Sequence, residues 1–167
     1  YRALDETPHA RKPPQGFLAS CNNQPHPANW PYPIPGFYDP YRITRANAQL
    51  PSKRTRDDMH ALQLDLSSGL AQRWKQLAAQ SASGDNTKLL QEWNGTMSSD
   101  SRAATLFAAW WRMLPKAIFE DELGAEWSTG RVLLDEALTT NSPVIDDKRT
   151  RGIESINDIA QRAMKDA

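Results

Sequence analysis

Proline decides how this chain divides. Ten of its twelve prolines fall in residues 1–51, and only Pro115 and Pro143 come later. Each one removes a backbone donor and pushes the preceding residue towards extended geometry. The first third is therefore expected to be irregular, and the rest is left free to form helices. The chain reads as mainly α, with a proline-rich region over 1–51 and a helical region over 52–167.

Residues 1–15 carry Pro8, Pro13 and Pro14 among Arg2, Arg11 and Lys12, and read as an extended surface arm. Phe17 to Cys21 is the one short strand expected. A lone strand is not a stable element, so its neighbours are expected outside this chain. The run then reaches Asn22 and Asn23, and a loop stiffened by Pro25, Pro27, Pro31, Pro33 and Pro35 follows. Asp39 and Pro40 open a helix from Tyr41 to about Leu50, with Asp39 as its cap and Pro51 as its stop. This order sets two amides and the guanidinium of Arg42 at the ends of stiff elements, where side chains can be aimed.

In the second region, Thr55 to Asp58 fits a capping box with aspartate in the glutamate position. Met59, Leu62, Leu66, Leu70, Trp74 and Leu77 follow at steps of three or four, which predicts one long amphipathic helix with a kink near Ser67-Ser68-Gly69. A loop over Ser81 to Asp85 leads to a short helix from Thr87 to Trp93, stopped at Asn94-Gly95. Ser101 caps a helix that is apolar on most of its circumference and so belongs in a core, with Ala108 and Trp111 among its buried face. Another helix is expected from about Ser128 to Leu138. A last one, capped at Ser155, shows no stop signal before Ala167, and with the proline-rich start this reads as an internal segment of a longer protein.

Charge narrows the partners. Lysine plus arginine number 20 and aspartate plus glutamate also 20, so no basic surplus exists to drive binding to nucleic acid or anionic membranes. No run approaches the ~20 apolar residues that span a bilayer. Cys21 is the single cysteine, which excludes an internal disulfide and a thiolate cluster. It reads as a small, buried, inert residue, with no third group to orient a pairing with His26. His9, His26 and His60 lack metal-ligand spacing and read as isolated surface histidines. The charged run from Asp146 to Arg151 reads as a solvated loop.

Several motifs, taken in order, resemble the penicillin acylase (penicillin amidase) family of N-terminal nucleophile hydrolases, in the middle of its large catalytic subunit. Pro13-Pro14-Gln15-Gly16-Phe17-Leu18-Ala19-Ser20-Cys21-Asn22-Asn23 is similar to the family's proline, glycine, apolar strand and paired asparagines. Trp30-Pro31-Tyr32-Pro33 resembles its tyrosine-proline loop, and Tyr41-Arg42-Ile43 its arginine-bearing helix start. The stretch from Asp57 to Ser68 looks like its helix with a glutamine-x-aspartate element, here Gln63 and Asp65. Trp93-Asn94-Gly95 matches its tryptophan-aspartate-glycine turn with asparagine in the middle position.

The resemblance implies a fragment of an αββα fold and an amidohydrolase that cleaves N-acyl amides through an acyl-enzyme. It implies that Asn22 is a catalytic donor of the oxyanion hole, with Arg42 beside it and Asn23 as a loop organiser. The family nucleophile is a serine, threonine or cysteine freed by self-cleavage. None occupies that position here, so the chain alone is expected to be inactive and to work with the remainder of a parent amidase, including its small subunit. An exported, periplasmic or secreted location is implied as well. Some relatives hold a structural calcium, but the only acid between the asparagines and Arg42 is Asp39, which does not match the ligand position, and no cofactor or metal is expected here. Read without the family, Asn22 and Asn23 are turn formers and Arg42 is a surface arginine. The rival is an interaction module whose proline-rich third docks on a partner groove, with Tyr32 and Pro33 as its contacts.

Overall fold

Polar side chains next to the backbone decide where the helices break. The computed structural model describes residue 3 and residues 6–50 and 55–167. The expected stop at Pro51 lies outside the described residues. Among the described residues, seven α-helices are formed: α1 Tyr41–Gln49, α2 Arg56–Gln63, α3 Gly69–Ser81, α4 Asp85–Glu92, α5 Arg102–Leu123, α6 Leu134–Thr140 and α7 Ile156–Lys165. Two 3-10 segments, Gly124–Leu133 and Pro143–Ile145, flank α6. Among the described residues no strand is formed, and Phe17 to Cys21 runs as irregular backbone. That is the behaviour of a β-prone run with no neighbour to pair with.

The expected long helix is two. Asp65 Oδ1 accepts from the Ser67 N–H at 3.1 Å, and such a side-chain bond competes with the helical ladder. α2 therefore ends at Gln63, and α3 restarts at Gly69. The capping box forms as expected: Thr55 Oγ1 accepts from the Asp58 N–H at 3.2 Å, and Asp58 Oδ2 accepts from the Thr55 N–H at 2.7 Å. The helix expected over Ser128 to Leu138 is 3-10 as far as Leu133 and α-helical only from Leu134. Ser128, Thr129 and Gly130 are poor helix formers, and Thr129 spends its hydroxyl on the Glu126 carbonyl at 2.8 Å.

The chain falls into two units, residues 1–69 and 70–167. The second is built on α5, whose start is fixed by Ser101 Oγ accepting from the Ala104 N–H at 3.2 Å. α5 ends at Gly124, which takes a φ of +55° that a side chain would resist. Trp110, Leu114 and Ile118 of α5 are fully buried together with Leu90, Leu134 and Ile159. The buried face is centred on Phe107, Trp110 and Leu114, and Ala108, expected inside, is exposed. Trp110 meets the need of its indole N–H by donating to the Ala160 carbonyl of α7 at 3.0 Å. Among the described residues no helix is long and apolar enough to cross a membrane.

The run Asp146 to Arg151 is solvated from Lys148 to Arg151 but not at Asp147. Asp147 is 4% exposed and accepts from Arg149 Nε at 2.9 Å and Arg162 Nη1 at 2.7 Å. Arg149 also reaches Glu120 at 3.3 Å, and Arg162 pairs with Glu154. Two guanidiniums offset the desolvation of one buried carboxylate. They hold its carboxyl far below the usual range, the Arg149 hydrogen bond being the largest cause.

Candidate functional site

The first unit holds the sequence-predicted residues, and the loop that carries them is organised by a histidine. His26 is 7% exposed, which corrects its reading as a surface residue. Its Nε2 accepts from the Ile34 N–H at 2.9 Å, so Nδ1 carries the proton and donates to the Pro27 carbonyl at 2.9 Å. Prolines leave this loop few backbone donors, and the imidazole supplies the cross-link they cannot. Both ring nitrogens are thereby engaged with backbone, which leaves none for Cys21. The thiol itself is half-buried.

The two asparagines part company at this point. Asn23 spends both ends of its amide on the loop: Oδ1 accepts from the Cys21 N–H at 3.1 Å, and Nδ2 donates to the Gln24 carbonyl at 3.1 Å. Asn22 has a φ of +59°, a left-handed conformation that asparagine tolerates better than most residues. That conformation carries its exposed side chain to α1, where Arg42 Nη2 donates to Asn22 Oδ1 at 3.0 Å. A guanidinium has only donors, so the amide must turn its oxygen to Arg42 and its NH2 away. Among the described residues, that NH2 has no partner. The outcome is a neutral donor on the surface, with its orientation set from behind.

α1 offers Arg42 from its first turn. Its N-cap is Pro40, without a side-chain cap bond. Asp39, expected as the cap, instead accepts from the Tyr41 N–H at 2.8 Å. The helix finishes at Gln49, and Leu50 is already extended, as a residue before proline should be. No step below involves a metal.

A second arginine of α1 escaped the sequence reading. Arg45 Nε donates to Asp65 Oδ2 at 2.6 Å, and its Nη2 donates to Asp65 Oδ1 at 3.2 Å and to Ser67 Oγ at 3.3 Å. With its amide oxygen towards Arg45, Gln49 accepts two further bonds at 2.9 and 3.0 Å. The Arg45 hydrogen bond is the main reason that the Asp65 carboxyl is lowered to about 2. Asp65 is thus the terminus of an ion pair, in the turn after α2 and not on a helix. The one signal available was the spacing of Arg42 and Arg45, three apart and so on neighbouring faces of one helix.

The family model described as Penicillin amidase matches residues 1–167, the whole chain. The chain belongs to the penicillin amidase family. That family comprises hydrolases acting on amides. No solved structure matches the chain.

Proposed function

We propose that the chain is a segment of an amidohydrolase that cleaves N-acyl amides through a covalent acyl-enzyme, and that Asn22 supplies one donor of its oxyanion hole. The observation that carries this reading is the Arg42 to Asn22 hydrogen bond, which leaves the Asn22 NH2 outward and, among the described residues, unpartnered. The nucleophile belongs to another part of the parent enzyme, whose αββα fold this segment completes. It is a serine, threonine or cysteine whose own amine accepts its proton. Attack on the substrate carbonyl carbon forms the new C–O or C–S bond and moves the π pair onto the carbonyl oxygen. The Asn22 N–H donates to that oxyanion. As the oxyanion collapses, the C–N bond breaks, the proton held by the amine goes to the leaving nitrogen, and water then hydrolyses the acyl-enzyme.

Asparagine suits the position, because a neutral amide stabilises the developing charge without ever adding a fixed charge of its own. One such donor is worth about 10²–10³ in rate. Arg42 is a positioning residue: it fixes the amide, and it polarises the Asn22 N–H by donating to the same group's oxygen. The other partners in this reading are the small subunit and the nucleophile-bearing part of the parent, with an N-acyl amide as substrate and an exported location. In the complete enzyme, Asn22→Ala should lower kcat by about 10²–10³ with self-processing intact, and an unchanged kcat would overturn the assignment. The chain alone should turn over no acyl amide.

Exposed apolar groups in the first unit, Leu18 at 68%, Ile34 at 45% and Phe37 at 67%, favour a second reading as a docking module. In that case Tyr32→Ala abolishes partner binding and Asn22→Ala is silent.

A further inference from the structure

α1 is a short helix with little to hold it. It has nine residues, no side-chain cap bond and a single buried residue, Ala46. A helix of that length is marginal by itself. Yet Arg42 must stay within hydrogen-bond reach of an asparagine twenty residues earlier in the chain. Contacts at Tyr41 and Arg45 hold α1 against the end of the first unit. Tyr41 lies on Gly69 so closely that a Cβ there would come within 3.1 Å of its ring. Arg45 is held in a bidentate fork by Asp65, at 2.6 and 3.2 Å.

The carboxylate is itself fixed. Asp65 has a side-chain exposure of 17%, its Oδ1 accepts from the Ser67 N–H at 3.1 Å, and the Ser67 hydroxyl bonds Arg45 in turn. A two-point fork between planar groups sets direction as well as distance, which a lysine could not do. Arg45 lies one turn along α1 from Arg42, so rotation of the helix about its axis would release both together.

We infer that Asp65 is a positioning residue of the proposed oxyanion site, acting through the Arg45 fork to hold α1 in the rotation at which Arg42 meets Asn22. This rests on the reading given under Proposed function. It extends the site from two residues to a relay of four: Asp65, Arg45, Arg42 and Asn22.

The test has two readouts. In the chain itself, the side-chain NH2 resonances of Asn22 should move in Asp65→Asn and Arg45→Lys towards their positions in Arg42→Ala, and Asp65→Glu should largely restore them. In the complete enzyme, Asp65→Asn should lower kcat about tenfold with KM within about twofold. It should cost nothing further in an Arg42→Ala background. Unmoved Asn22 resonances, or the same tenfold loss with Arg42 already removed, would overturn the inference. Failure of the functional reading looks different, since Asn22→Ala would then be silent in turnover while the resonances still followed Asp65. Arg45→Lys keeps the charge and the helix, so it serves if Asp65→Asn fails to fold.

Discussion

The two units of this chain are held together by opposite means. Residues 70–167 bury an apolar core around Trp110, Leu114 and Ile118, with Phe107 set 5.3 Å from Trp93 and 5.7 Å from Trp110 between ring centroids. Among the described residues, 1–69 bury only Ala46 and His26. Their order comes from named polar bonds: the imidazole to Ile34 and Pro27, Arg42 to Asn22, and Arg45 to Asp65. Apolar burial is undirected and forgiving, whereas hydrogen bonds to ions fix direction. On the proposed reading, the unit that aims an amide is built from the second kind.

The largest expected effect lies in the core. Trp110→Ala removes the buried indole and its bond to Ala160, and should cost about 4 kcal/mol in thermal or urea unfolding of residues 70–167. The hydrogen-exchange protection of Arg42 and Asn22 is expected to stay unchanged. Equal loss in both units would break the contrast. Next comes the buried ion pair of the second unit. Asp147→Ala leaves Arg149 and Arg162 facing each other without their shared carboxylate and should cost about 3 kcal/mol, read from the urea midpoint.

Acid should separate the units. Asp65 is lowered to about 2 in the folded chain, against ~3.9 when unfolded. Its contribution is therefore complete above about pH 4 and is lost as pH falls through about 2. Asp147 is lowered for the same kind of reason, but a core stands behind it. In a titration from pH 5 to pH 2 followed by NMR, signals of Asn22, Arg42 and Arg45 should collapse before those of Trp110 and Ile159. The smallest effect sharpens the same point with two matched capping boxes, Thr55 with Asp58 on α2 and Ser155 with Asp158 on α7. Alanine at either cap costs about 1 kcal/mol. α2 has no buried residue, whereas α7 buries Ile159, Ala160 and Ala163. Thr55→Ala should thus open α2 locally to hydrogen exchange, and Ser155→Ala should shift only the midpoint.

What the sequence made legible follows the same division. Caps and periodicity are local signals, and Thr55, Ser101 and Ser155 cap helices as their spacing says. The single long helix was misread because Asp65 turns its carboxylate onto the Ser67 backbone, a choice hydrophobic spacing does not register. The burial of His26 and Asp147 is not legible in the sequence, because composition does not say which polar groups find partners that let them leave water. Asn22 and Arg42 are candidates through the order of motifs, and the structure joins them by a hydrogen bond. The link from Arg45 to Asp65 is invisible to that order, because it joins two motifs twenty residues apart.

The contrast between neighbouring amides offers the most direct test. Single-turnover acylation by the complete enzyme should be measured for Asn22→Ala and Asn23→Ala side by side. Asn22→Ala should slow acyl-enzyme formation by about 10²–10³, and Asn23→Ala, whose amide serves only the loop, should stay within about tenfold of the unsubstituted enzyme. Equal losses at the two positions, or a greater loss at Asn23, would contradict the assignment of Asn22 as the oxyanion donor.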